Sequence, residues 1–338
     1  MKLLPESNGL YKVNMKQKLS PLQWCKRIGL VIVSIFLVGF IFQLISNFVG
    51  KEKVESRLNY TKVDGKRLEY KYSGTGDYTI VFDGAIGANL YEWDKVCKLV
   101  EKELDVKTFV YNRNGYGFSS EGDAKTPQQQ AEDLKILLRK AGVSGNIILV
   151  GEEYGSLVIS NFAKLYPESV KGMVLIQPFH EVNVKSEEFK KEIKWKYYKS
   201  VVEKVGSSFG LTTLMDKMGQ AITLEGFEES LPKGADEEFA VHKNKKDYRQ
   251  AISNEIKSLY NYNGESQSNG LAKDYPLYII SNKEENDLVN LGNDEITQLY
   301  KTESQSKILS IDDTDSVFNG IKYVVKEAKR IERRAQNK

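Results

Sequence analysis

The residues best placed to do chemistry sit together in Gly151-Glu152-Glu153-Tyr154-Gly155-Ser156, directly after the apolar run Ile147-Ile148-Leu149-Val150. An apolar strand that enters a helix through a Gly-x-x-x-Gly turn has the backbone of a nucleophile elbow, whose middle residue stands exposed on a strained bend. That middle residue is Glu153. A carboxylate there admits three outcomes. It can attack a substrate and form an ester, which a base-activated water must then cleave. It can share a proton or a hard cation such as calcium with other carboxylates. It can also do neither, in a turn kept for the fold. Ser156 lies one step beyond the elbow, on the first helical turn, where a hydroxyl packs or caps. The chain's two histidines, His180 and His242, are read as packing or surface residues, and no metal-ligand set or cofactor site is assigned.

The elements around the elbow set its surroundings. Arg57 to Ser73 has a hairpin pattern about Asp64-Gly65. Strands are then predicted at Tyr78–Asp83, Val106–Tyr111, Asn146–Val150 and Val170–Gln177. Helices are predicted over Leu90–Leu104, from Thr126 to Gly142, and after the elbow through Tyr166. Strands apolar on both faces that alternate with helices predict a mostly parallel sheet wrapped by helices, an α/β fold. The rhythm breaks at Pro178. Residues 179–273 are predicted as a helical lid, opened by a helix from Glu187 to Val205 and closed by a flexible Gly264–Gly270 return. Its aromatic residues Trp195, Tyr197, Tyr198 and Phe209 either line a ligand pocket or pack the insert onto the sheet. Strand pattern returns at Tyr275–Ser281 and Ser306–Ile311, before a closing helix from Val317 to Arg334.

The first 50 residues are of another kind. Six basic residues (Lys2, Lys12, Lys16, Lys18, Lys26, Arg27) face Glu6 alone, leaving 43 basic and 45 acidic residues in the rest of the 338-residue chain. Nothing in that remainder resembles a basic nucleic-acid surface. Ile28 to Ile45 is free of charge, and Asn47-Phe48-Val49 extends it to the length of a membrane span, about 20 residues. It is too long for a cleavable signal and has no small-x-small site. Residues 28–49 are therefore predicted as a signal anchor. Lys26 and Arg27 at its start place residues 1–27 in the cytoplasm and the rest outside. Cys25 and Cys97 then lie on opposite sides of the membrane and form no disulfide.

From residue 57 to 335 the chain resembles the α/β-hydrolase family. Four segments carry the resemblance: Phe82-Asp83-Gly84-Ala85-Ile86-Gly87 after the first central strand, Tyr111-Asn112-Arg113-Asn114-Gly115-Tyr116-Gly117-Phe118-Ser119, Thr126-Pro127-Gln128-Gln129, and the elbow itself. Asn112 stands where that family usually has aspartate. The resemblance implies an elbow serine, a histidine after the last strand and an acid after the seventh. The serine position maps to Glu153 and the histidine position to Asp315. The acid position falls on Glu285, with Glu284 and Asp287 as rivals, and the oxyanion-hole amides on Ala85 and Tyr154. Resemblance to the family's epoxide hydrolases and haloalkane dehalogenases, which attack with an elbow aspartate, leaves a second route open.

Two functions are therefore carried forward. The first is a single-pass, extracytoplasmic protein of this fold without Ser-His-acid chemistry, acting as a binding or regulatory module whose lid-covered pocket holds a small ligand. The alternative is a hydrolase of a small ester or epoxide-like substrate that uses Glu153 as nucleophile.

Overall fold

A computed structural model describes residues 20–53, 58–284 and 286–336. Most of the basic tail, residues 1–19, lies outside these described residues, as does Glu285. The chain opens with α1 (Pro21–Lys53), then β1 (Asn59–Val63), β2 (Lys66–Gly74), β3 (Tyr78–Asp83), α2 (Asp94–Leu104), β4 (Lys107–Tyr111), α3 (Pro127–Lys140) and β5 (Asn146–Glu152). Next come α4 (Tyr154–Leu165), β6 (Val170–Ile176) and six helices: α5 (Glu181–Lys185), α6 (Glu187–Gly206), α7 (Leu211–Lys217), α8 (Phe227–Ser230), α9 (Ala235–His242) and α10 (Lys246–Tyr260). The chain closes with β7 (Leu277–Ser281), β8 (Thr297–Lys301), α11 (Leu309–Asp312) and α12 (Thr314–Gln336).

The strands form one sheet in the order β1-β2-β4-β3-β5-β6-β7-β8. The β1–β2 and β2–β4 pairs are antiparallel, and all later pairs are parallel. The hairpin forms where expected. Val63 pairs with Lys66, leaving Asp64 (φ 48°) and Gly65 (φ 77°) as a two-residue turn whose positive φ values match the strand twist. Side chains alternate across the sheet and are buried on both faces. Val81, Phe109, Leu149, Leu175 and Ile279 enter one apolar cluster, and Ile80, Val110, Ile148, Val174 and Ile280 enter the other. The helix before the elbow, α3, starts with a capping box in which Thr126 and Gln129 bond reciprocally and Pro127 occupies the first turn.

The lid is a helical insert between β6 and β7, as its pattern indicated. Its return segment is not a free linker. The Ser266 and Gln267 amides, the Ser266 hydroxyl and the Tyr262 hydroxyl all donate to the Glu181 carboxylate. Burial pushes the Glu181 pKa up, but these hydrogen bonds outweigh it and hold the group below its ordinary value. A second correction concerns the last strand. It is Thr297–Lys301, short and mostly facing solvent, whereas the apolar Ser306–Ile311 run packs as a loop and the short helix α11. Ile308, Leu309 and Ile311 are buried through that helical turn. An apolar run of this length does not by itself separate strand from buried helix.

The N-terminal helix α1 is 33 residues long. Its Pro21–Ile45 portion contains an 18-residue stretch with a mean hydropathy of 2.8, of which only 6% is buried against the rest of the chain, a length and composition sufficient to cross a bilayer.

Candidate functional site

Glu153 follows β5 with φ 50° and ψ −111°, a backbone conformation that non-glycine residues rarely hold. The flanking glycines make the bend feasible. A Cβ on Gly155 would stand 2.2 Å from the Asp83 carbonyl oxygen, and one on Gly151 would stand 2.7 Å from Ile159 Cδ1. The Gly155 amide donates to the Gly84 carbonyl at 3.1 Å, and the Glu153 amide to the Ile176 carbonyl at 3.0 Å. The elbow is thereby fixed to the loop after β3 on one side and to β6 on the other. Ser156 behaves as its position suggested. Its hydroxyl donates to the Glu153 carbonyl at 2.5 Å and accepts the Phe179 amide at 3.1 Å, fully buried.

The Glu153 side chain, half-buried, turns toward the loop after β3 and accepts the Ile86 amide at Oε2, 3.2 Å away. The Ala85 amide, expected to face the pocket, instead points at the Glu92 carboxylate, with Oε2 at 3.3 Å and Oε1 at 3.4 Å. Arg113 sets this peptide orientation. Its guanidinium donates to the Gly84 carbonyl at 2.9 Å and the Ala85 carbonyl at 3.1 Å, so those carbonyls face Arg113. Arg113 is itself buried between Asp83 and Glu255, with Nε 2.7 Å from Glu255 Oε1. Burial would push its pKa down, yet the two carboxylates hold it well above the ordinary arginine value. Tyr116 completes the brace, donating to Glu255 at 2.7 Å and accepting the Gly87 amide at 3.1 Å. The Tyr154 ring lies against the same guanidinium, 5.3 Å from its centroid to the carbon.

A carboxyl pair lies behind the elbow. Glu152 points to the opposite face of β5, fully buried, and accepts the Leu309 amide at 2.5 Å and the Ser310 amide at 3.3 Å. Glu92 is equally buried and bonds to it. Burial first, and the Glu152 charge second, push the Glu92 pKa well above the ordinary carboxylate range. Burial alone drives Glu152 up to about 7 against the hydrogen bonds it accepts. Two carboxyls in contact away from water share a proton, and the pair, not either residue alone, releases it as pH rises. Sequence reasoning missed this pair and the Arg113 cluster. Strand alternation offered a signal for Glu152, since a residue next to an outward Glu153 must face the other way. Nothing local to Glu92 marked it.

The remaining candidates are not gathered at Glu153. Asp315, read from the sequence as the histidine position, lies in the first turn of α12, exposed to solvent. With the last strand ending at Lys301, the segment that follows it is residues 302–308, Thr-Glu-Ser-Gln-Ser-Lys-Ile, which carries no histidine. That loop is tied to the strand ends through Gln177 Nε2, which donates to the Ser306 carbonyl at 3.1 Å. Glu284 is exposed and paired with Lys301 at 2.7 Å. Asp287 is exposed and its charge acts on His180, whose pKa is nevertheless lowered, chiefly by burial. His242 is partly buried, edge-on against Phe118 at 4.7 Å, and desolvation lowers its pKa to about 3. Among the described residues no group of three His, Cys, Asp or Glu side chains could hold a metal ion.

Two smaller observations complete the surroundings. Asn112 accepts the Leu90 amide at 2.8 Å and donates to Glu69 at 2.8 Å. An aspartate could not make the second bond, which accounts for the departure at this position. A cleft of about 610 Å³ lies away from the elbow, between the start of α3, α4, α10 and the Tyr262–Glu265 loop, with Lys125, Lys164 and Lys257 in its walls.

Residues 78–263 match the alpha/beta hydrolase fold family. The chain is 31% identical over 118 residues to the uncharacterized protein YqjL of Bacillus subtilis, covering 34% of this chain and 46% of that protein. It is 27% identical over 117 residues to the cis-3-alkyl-4-alkyloxetan-2-one decarboxylase of Shewanella oneidensis, covering 33% of this chain and 36% of that one. The chain thus spans less than half the length of either relative. Similar solved structures include an epoxide hydrolase variant from Bacillus megaterium (TM-score 0.58, 15% identity, 79% of this chain and 100% of that one). A thermophilic esterase from Thermogutta terrifontis matches with TM-score 0.59 and 16% identity over 80% and 97% of the two chains. An enol-lactonase from Burkholderia xenovorans LB400 matches with TM-score 0.58 and 15% identity over 80% and 100%. At these identities the likeness is one of fold. With the family matched over more than half its length, the chain belongs to the alpha/beta hydrolase fold family.

Proposed function

We propose that the protein is a hydrolase-fold binding or regulatory module, held at the membrane by residues 28–49 and lacking Ser-His-acid chemistry. One observation carries the reading. The Glu153 carboxylate itself occupies the Ile86 amide, and the neighbouring Ala85 amide is turned to Glu92. One of the two amides expected to stabilise a developing oxyanion, that of Ala85, is thus turned to a carboxyl of the protein, and the amide beside it is held by Glu153. The histidine-free loop 302–308 supports the same reading, since an ester formed on Glu153 would have no imidazole to activate water. In this reading the Lys26-Arg27 flank keeps the N-terminal tail in the cytoplasm, residues 57–178 and 274–335 form the extracytoplasmic core, and residues 179–273 its lid.

The second reading, a Glu153 nucleophile acting on a small ester or epoxide, draws on the elbow's retained strained geometry and on epoxide hydrolases among the structural neighbours. The purified full chain in detergent separates the two. Under the first reading it neither turns over short p-nitrophenyl esters and styrene oxide nor labels with a fluorophosphonate. Turnover abolished by Glu153→Gln would falsify it. For topology, protease added to intact cells is expected to remove the C-terminal domain, and a fully protected domain would reverse the orientation.

A further inference from the structure

The lid carries an apolar face that its own domain leaves uncovered. Along α6, Trp195, Tyr198, Val202 and Val205 recur at spacings of three, four and three, which aligns them in one stripe. All four are exposed, Trp195 at 76%. Helix α7 adds Leu211 and Leu214, followed by Met218, again exposed. Large apolar side chains gathered on adjoining helices mark an interaction surface rather than ordinary solvent-facing polypeptide.

The turn between the two helices meets α1. Phe209 packs edge-on to Phe36 with centroids 5.2 Å apart and lies 6.4 Å from Phe40. A Cβ on Gly39 would stand 2.1 Å from the Phe209 carbonyl oxygen, so the two backbones touch only because residue 39 is glycine. Gly39 lies near the middle of the apolar run 28–49. At the rise of an α-helix that is at most about 15 Å inside either end of the run, well within a hydrocarbon core about 30 Å thick. Whatever solvent surrounds α1 at Gly39 therefore also surrounds Phe209 and the apolar side chains beside it. Exposed Lys191 and Lys194 on α6 and Lys217 at the end of α7 add positive charge at this surface, with stems long enough to reach headgroups.

Resting on the anchor reading above, we infer that the α6–α7 segment of the lid inserts its apolar stripe into the lipid leaflet beside α1, so that the bilayer itself is the occupant of this face. Trp195 and Tyr198, farthest along α6 from the α1 contact, then lie toward the interfacial zone that such rings favour. The lid, not only the anchor, becomes a membrane-bound element.

The test uses the full chain with Cys25→Ser, leaving the buried Cys97, reconstituted in vesicles of phosphatidylcholine and phosphatidylglycerol. A nitrobenzoxadiazole label is placed at Ile35→Cys in α1, at Leu214→Cys in the lid, or at the exposed position Lys102→Cys on α2. Replacing the lipids by brominated ones is expected to remove roughly half the fluorescence at 35 and at 214 and almost none at 102. Quenching at 35 without quenching at 214 overturns the inference and leaves the anchor standing. Absence of quenching at both overturns the anchor and the inference together. A blue shift at 214 that grows with the protein-to-lipid ratio, without bromine quenching, assigns the face to a second copy of the chain and also overturns it.

Discussion

Glu152 and Glu153 are neighbours in sequence, and the structure gives them opposite environments. Glu153 sits on a strained bend, half-buried, and accepts a backbone amide at the lid side of the sheet. Glu152 is sealed behind β5 against Glu92 and the start of α11, where it accepts two amides. The residue at the elbow stays partly exposed, while the residue with the strongly perturbed carboxyl is fully buried. Perturbed carboxyls often mark functional sites. In this chain the perturbation marks a structural joint between the elbow strand and the start of α11.

Arg113 orients the loop whose amides serve Glu153 and Glu92, so its removal should have the largest effect. Arg113→Leu leaves Asp83 and Glu255 buried without their cation and is expected to cost about 3–5 kcal/mol of unfolding free energy. Urea denaturation of the full chain in detergent measures this. A loss below about 1 kcal/mol would mean that water or another group replaces the guanidinium, and that the loop is not held as described.

The dyad comes next, and it separates the two carboxylates by pH. A buried carboxyl whose pKa is raised binds its proton in the folded chain under conditions where the unfolded chain has released it. Its contribution is therefore favourable at low pH and is lost as pH climbs from the ordinary carboxylate value toward the folded one, about 7 for Glu152. Stability should fall between about pH 4.5 and 7 by up to about 1.4 kcal/mol per pH unit for each proton involved. Glu92→Gln keeps a donor for Glu152 and should flatten that slope, whereas Glu153→Gln should leave it unchanged. Equal slopes in the wild type and Glu92→Gln would remove the shared proton from the account.

The contrast also explains what could be read in the sequence. Binary patterning and turn residues gave the hairpin at Asp64-Gly65, the strands that cross the core, the lid and the elbow, because each depends on neighbours within a few positions. The last strand was misplaced because Thr297–Lys301 is short and polar at an exposed edge, while the more apolar Ile308–Ile311 packs as a helical turn. Asp315, placed at the histidine position by alignment on the closing helix, is exposed in the first turn of α12. The dyad and the Arg113 cluster join residues 60 and 142 positions apart, and no local pattern records such pairings. Asn112 was visible as a departure from the family, but its reason, the facing Glu69, needed coordinates.

The smallest expected effect bears on Glu153 itself. Its φ of 50° with ψ of −111° suits glycine, and a residue with a Cβ held there stores about 1–3 kcal/mol of strain. Glu153→Gly releases that strain but gives up the 3.2 Å hydrogen bond from Ile86 and makes the unfolded chain more flexible. These terms oppose one another, so the expected result is a stabilisation of no more than about 1 kcal/mol. Glu153→Ser makes the complementary point. It restores the side chain that the elbow presents in Ser-His-acid enzymes, yet loop 302–308 offers it no histidine and Glu92 still engages the Ala85 amide. The variant should therefore remain unlabelled by fluorophosphonate. Labelling of Glu153→Ser at a rate well above that of free serine would show that the machinery around the elbow is still intact, and that the glutamate alone silences it.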